Sequence, residues 1–121
     1  MTSLCLNMIV KNESKIILRL LNSVVDIIDS YVVCDTGSTD DTPILIKTFF
    51  QMKNKPGIVF HEPFVNFCHN RNVSLQKCKE VNADYILLLD ADMILDVKTF
   101  TKDMLTCDSY KLTQGSEHFY Y

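Results

Sequence analysis

Residues 84–92 read Asp84-Tyr85-Ile86-Leu87-Leu88-Leu89-Asp90-Ala91-Asp92, an aliphatic run that leads straight into two carboxylates one residue apart. A run of this kind, preceded by polar Asn82 and Asp84, predicts a strand buried on both faces, as in the interior of a parallel sheet. In extended chain, residues i and i+2 point the same way, so Asp90 and Asp92 are expected to project together from the strand's carboxyl end. That edge of an open α/β sheet is where ligands bind. Two like charges held close together need compensation, and a divalent ion is the simplest form of it. Hard oxygen ligands suit Mg²⁺ or Mn²⁺, ions that bridge one or two carboxylates to substrate phosphates. The competing reading is a loop carrying two solvated aspartates behind a core strand.

Upstream, strands and helices alternate. Leu4 to Val10 is apolar apart from Asn7 and reads as the first strand. After polar Lys11-Asn12-Glu13, Ser14 is placed to cap a helix whose apolar residues Ile16, Ile17, Leu20, Leu21, Val24 and Val25 fall on one face. Tyr31-Val32-Val33-Cys34 predicts a second strand ending at Asp35. A turn rich in cap formers follows, with Pro43 suited to the first helical position, and then a second helix containing Ile44 to Met52. Asn54-Lys55-Pro56-Gly57 breaks that helix. Ile58-Val59-Phe60 gives a short third strand. A third helix is expected from about His69 to Val81, with Val73, Leu75, Cys78 and Val81 as its buried positions. Beyond Asp92, a short helix is expected over 97–105, and Tyr110-Lys111-Leu112 is expected to open a fifth strand. Alternating strands and helices imply a parallel α/β sheet with right-handed crossovers and a central first strand.

Composition bounds the function. The chain has 121 residues, 47% of them hydrophobic, which fits one small domain with a real core. A net charge of −3 and the lack of a basic cluster argue against nucleic-acid binding. No apolar run reaches the roughly 20 residues of a membrane span. The five cysteines include no Cys-x-x-Cys pair, which argues against a disulfide framework or zinc site and for reduced thiols in a cytoplasmic setting. The amino terminus lacks the basic region of a secretory signal.

Three polar loops follow strand ends and would face one crevice: Lys11-Asn12-Glu13, Asp35 to Asp40, and Asp90-Ala91-Asp92. An ionised Asp35 only accepts, so it could take a nucleobase N–H or a ribose hydroxyl. It could equally close its own turn. Asp40 reads as a cap, and Glu13 suits a first helical turn. Neither a Gly-x-Gly-x-x-Gly nor a Walker loop is present, so a metal would have to hold any phosphates.

Four ordered segments then resemble one family. Met8-Ile9-Val10-Lys11-Asn12-Glu13, Val33 to Thr42, Phe67-Cys68-His69-Asn70-Arg71-Asn72 and Asp84 to Asp92 resemble the nucleotide-sugar-binding half of family 2 glycosyltransferases, the inverting type with the GT-A fold. The resemblance covers roughly residues 3–95. It implies a Rossmann-like, mostly parallel sheet with flanking helices, truncated after the Asp-x-Asp region, in a single domain over residues 1–121. It further implies a hexosyltransferase whose donor is a nucleoside-diphosphate sugar, commonly a uridine diphosphate sugar. Lys11, Asn12 and Glu13 would line the nucleotide pocket, Asp35 would contact the base, and Arg71 would approach base or diphosphate. Asp90, Ala91 and Asp92 would lie at the ribose and metal, with Asp92 and Asp90 binding Mn²⁺ or Mg²⁺. The family's catalytic base lies beyond the Asp-x-Asp strand. Glu117 and His118 are the titratable residues left near the end, and the catalytic residue and acceptor are not assigned. Phe119-Tyr120-Tyr121 points to self-association or later covering chain. The alternative is a donor-binding module that needs further chain or a partner for activity. A strand ending in Asp-x-Asp also fits haloacid-dehalogenase-type phosphatases, but Met93-Ile94 stands where that class has small or hydroxyl residues.

Overall fold

The computed structural model describes residues 2–93. The elements run β1 (Leu4–Val10), α1 (Ile17–Val24), β2 (Ser30–Asp35), α2 (Thr42–Met52), β3 (Gly57–His61), α3 (Phe67–Val81) and β4 (Tyr85–Leu88). The described strands form one sheet in the order β3-β2-β1-β4, with every pair parallel. The chain winds outward from β1 through β2 to β3, then crosses back to place β4 on the other side of β1. This reversal beside β1 is the switch point that opens a crevice at the carboxyl ends of the strands.

Two interior strands explain the hydrophobic runs at 4–10 and 31–34. On one face of the sheet Leu4, Leu6, Met8, Val10, Tyr31 and Val33 pack against Ile17, Leu20, Leu21 and Val24 of α1 and Ile46 and Phe50 of α2. Full burial of each such aliphatic side chain stabilises the fold by about 1.5–3 kcal/mol. The Tyr31 and Phe50 rings stack with centroids 4.1 Å apart, and Phe49 meets Phe50 edge-on at 5.4 Å. Gly57 lies beneath that stack. A Cβ there would fall 2.2 Å from the Tyr31 carbonyl oxygen, so β3 can approach β2 at this point only with glycine.

The opposite face is covered by α3 over β1 and β2, with a smaller seam of Cys5, Val32 and Cys78. Here the sequence expectations need correction. The helix starts at Phe67, two residues before the expected His69, because Asn66 caps it: its Oδ1 accepts from the His69 amide at 2.8 Å. Its buried stripe is Asn70, Ser74 and Cys78, whereas Val81 is exposed and Val73 and Leu75 are half-buried. The i, i+4, i+8 spacing is helical, but the stripe is polar because its counterpart on β1 is polar Asn7.

Strand β4 is also less enclosed than its composition predicts. It is an outer strand among the described residues, with Ile86 37% and Leu88 48% exposed. The alternate residues Tyr85 and Leu87 pack against the main core, so Ile86 and Leu88 point to the other face of the sheet. Ser14 does not cap α1. The carbonyl of Glu13 accepts from the amides of Ile16 and Ile17 at 3.1 and 2.9 Å, and the Ser14 amide donates to Asp40. The expected helix at 97–105, the fifth strand, Glu117, His118 and the terminal aromatics lie outside the described residues. Among the described residues no helix is long and apolar enough to cross a membrane.

Candidate functional site

The loops after β1, β2 and β4 leave the same edge of the parallel sheet. Since β2 and β4 are the two neighbours of β1, the Asp35 and Asp90–Asp92 ends stand about two strand spacings apart, ~10 Å. The topology thus puts the three loops on one edge of the sheet.

Asp35 is the last residue of β2 and is 5% exposed. Its Oδ1 accepts from the Ser38 hydroxyl at 2.5 Å, and its Oδ2 accepts from the amides of Ser38 and Gly37 at 3.1 and 3.3 Å. The loop folds back this way because Gly37 has φ of 135°, a conformation that L side chains rarely adopt. The alternative reading of Asp35 as a turn-closing residue thus holds. Oδ1 retains a second lone pair, so the two roles are compatible. In register with Asp35 on β3 stands His61, exposed, its Nδ1 3.6 Å from Asp35 Oδ2. Sequence reasoning did not single out His61; its position follows only from the β2–β3 register.

The loop after β1 is stitched to the loop after β2. Asn12 adopts φ of 54°, in the left-handed region that asparagine tolerates. Its amide donates to the Ser38 hydroxyl at 2.9 Å, and its Oδ1 accepts from the Thr39 amide at 2.8 Å. The Glu13 amide donates to the Thr42 hydroxyl at 2.8 Å, and Thr42 donates in turn to Asp40 Oδ1 through both its amide and its hydroxyl. These bonds, that of the Thr42 hydroxyl foremost, hold the Asp40 carboxyl down at about 2. Asp40 is not the cap expected of it, since Asp41 takes the N-cap position of α2 without a side-chain cap bond; Asp40 braces Thr42 from one residue before that position, and the side chain of Asn12 holds the loop. Lys11 is exposed and Glu13 half-buried at the same rim.

At β4 the arrangement differs from the extended one expected. Regular strand ends at Leu88, and residues 90–93 form a turn closed by the Met93 amide donating to the Asp90 carbonyl at 3.1 Å. Strand alternation therefore does not align the two carboxylates. Instead Ala91 is buried in the main core, 4% exposed, while Asp90 and Asp92 on either side of it are exposed. Arg19 of α1 donates to the Asp92 carbonyl at 3.3 Å and ties the turn to the helix. No cluster of three acidic, histidine or cysteine side chains forms a ready metal cage among the described residues. Two exposed carboxylates fit a cation that completes its shell with phosphate oxygens and water, the pattern of Mg²⁺ and Mn²⁺.

Arg71 of α3 reaches the middle of β1. Its Nη1 donates to Asn7 Oδ1 at 3.1 Å. Its charge reaches the Cys34 thiol, which burial chiefly raises, with Glu62 and Asp35 acting in the same direction and Arg71 against them. Asn70 organises the approach: its Oδ1 accepts from the Val65 amide and its Nδ2 donates to the carbonyls of Glu62 and Pro63. Cys5 and Cys78 are free thiols with sulfurs 3.8 Å apart. One S–H shared between them eases proton loss at Cys5 and opposes it at Cys78. A hollow lined by Tyr31, Lys47, Gln51 and Gly57 opens at the amino end of β3, away from these groups.

Comparisons with known proteins bear on the family and the fold. The model of glycosyl transferase family 2 matches residues 5–105. An uncharacterized glycosyltransferase of Rickettsia prowazekii is 37% identical over 84 residues, covering 69% of this chain and 26% of that protein. A TPR repeat-containing protein of Synechococcus elongatus is 38% identical over 101 residues, covering 83% of this chain and 22% of its own. The crystal structure of S. aureus TarS 1-349 in complex with UDP superposes with a TM-score of 0.57 at 26% identity, over 75% of this chain and 28% of that one. The chain thus spans about a quarter of the length of these relatives. With a parallel α/β sheet of the GT-A kind and a family match over most of its length, the chain belongs to glycosyl transferase family 2.

Proposed function

We propose that this domain, taken as a single unit over residues 1–121, binds a nucleoside-diphosphate sugar, with uridine diphosphate favoured, and serves hexosyl transfer with inversion. The observation that carries the reading is that the loops after β1, β2 and β4, which bear Asn12, Asp35 and Asp90–Asp92, leave the same edge of the parallel sheet. The likeness to a glycosyltransferase solved with UDP supports the choice of nucleotide. Asp35 Oδ1 would accept from the base, and Lys11, Asn12 and Glu13 would form the nearby rim. The guanidinium of Arg71 would face the diphosphate, where its fixed donors suit anionic oxygens. Ala91 would contribute through its backbone, since its methyl is in the core.

A divalent cation, Mn²⁺ or Mg²⁺, held by Asp92 and Asp90 would supply Lewis-acid stabilisation of the departing diphosphate. An acceptor hydroxyl attacking from the opposite face inverts the anomeric centre and needs a general base within hydrogen-bond reach. Four free thiols among the described residues are consistent with a reducing, cytoplasmic setting.

The test is calorimetric titration of the chain with UDP, GDP and ADP, with and without Mn²⁺, followed by donor hydrolysis. Mn²⁺-dependent binding that favours UDP supports the reading. Equal, metal-independent affinities for all three nucleotides would overturn it. Binding without turnover would favour the donor-binding module.

A further inference from the structure

The middle of β1 contains a residue that strand formation does not explain. Asn7 is fully buried in an interior strand, paired with Leu88 on one side and Val32 on the other. A valine would suit that position better, and a buried amide is costly unless bonded. Asn7 is bonded at both ends. Its Nδ2 donates to the Ser74 hydroxyl at 2.7 Å and lies 3.3 Å from the Ser74 carbonyl and 3.0 Å from Cys78 Sγ. A carbonyl can only accept, so the Ser74 contact fixes which end of the amide is nitrogen. Oδ1 is thereby turned toward Arg71 Nη1.

The partner of Arg71 is thus a neutral acceptor. No carboxylate pairs with this arginine among the described residues. An aspartate at position 7 would orient the guanidinium as well, but would also cancel its charge. The amide orients it and leaves the positive charge for another anion.

We infer that Asn7 is a positioning residue that holds the Arg71 guanidinium while leaving its charge free for the diphosphate of a nucleotide. This inference rests on the proposed function and adds to it the device that sets Arg71. Ser74 and Cys78 are part of the device, because they fix the amide that fixes the arginine.

Two variants of the full chain test it. Asn7→Val removes the acceptor and keeps a strand-forming side chain, and Asn7→Asp keeps an acceptor and adds a charge. UDP affinity should fall about tenfold in each, with uridine affinity unchanged, as expected for loss of one charge-assisted contact. In an Arg71→Met background neither change should weaken UDP binding further. A readout that needs no nucleotide is the order of the Arg71 guanidinium by ¹⁵N NMR, which should fall in Asn7→Val and persist in Asn7→Asp. Unchanged UDP affinity and unchanged guanidinium order in Asn7→Val would overturn the inference and leave the proposed function standing. Guanidinium order that is present in the wild type and lost in Asn7→Val, in a chain that binds no UDP, would uphold the positioning and overturn the function. Equal losses for UDP and uridine, or failure of both variants to fold, would show Asn7 to be a support of the fold alone and overturn the inference.

Discussion

The amide of Glu13 donates to the hydroxyl of Thr42 at 2.8 Å and so joins the loop after β1 to the head of α2. Thr42 is fully buried, and its hydroxyl also donates to Asp40. Thr42→Val keeps the volume but strands the Glu13 N–H. It should cost about 1–3 kcal/mol in urea unfolding, and Thr42→Ser should recover most of that. Equal stability of the valine variant and wild type would show that the bond contributes nothing.

The same junction gives a pH dependence. Asp40 has its carboxyl lowered from 3.8 to about 2, chiefly by the Thr42 hydroxyl. A carboxyl lowered in the folded state adds stability that is present above its unfolded value and lost as pH falls through its folded value. The stability difference between wild type and Asp40→Asn should therefore be full above pH 4 and shrink toward pH 2. A difference that stays constant over that range would count against the assignment.

Asp92 is exposed, so its removal should leave the fold intact. Asp92→Ala, or chelation of the cation by EDTA, should weaken UDP binding at least about tenfold, the lower end of what losing even an outer partner of a metal costs. The check is calorimetry with Mn²⁺ beside a thermal melt. Retained Mn²⁺-dependent affinity would remove Asp92 from the site.

Asp35 has two tasks that separate experimentally. Asp35→Ala leaves the amides of Gly37 and Ser38 without their acceptor and should destabilise the chain by about 1–3 kcal/mol. It should also flatten the preference among UDP, GDP and ADP. An unaltered preference in a destabilised variant would leave Asp35 as a turn residue only.

Gly57→Ala forces a methyl against the Tyr31 carbonyl and ring. Overpacking of this kind costs about 1–3 kcal/mol, and the melting temperature should drop accordingly. The parallel register of β2 and β3 leaves no room for a small adjustment, because Tyr31 is stacked on Phe50. A melting temperature equal to wild type would contradict the close approach.

Much of this molecule is legible along the chain. The apolar runs at 4–10 and 31–34 give the two interior strands, and the spacing of Ile17, Leu20, Leu21 and Val24 gives the buried face of α1. Asp35 and the Asp90–Asp92 pair are readable as strand-end carboxylates. On α3 the expected Cys78 is buried, but Val73, Leu75 and Val81 are not, because hydrophobic periodicity finds only apolar faces and this one is completed by Asn70 and Ser74. Asp90 and Asp92 are both exposed on either side of buried Ala91, but a turn rather than extended strand carries them.

The local order of apolar and polar residues determined the alternation of strands and helices, because each element must bury one side of itself. What the chain order could not say is who meets whom across the sheet. Asn7 opposite Arg71, Asp35 beside His61 and Glu13 on Thr42 join residues far apart in sequence. Such pairs are set by strand order and register, which arise only when distant segments pack together, and the candidate site is built from them.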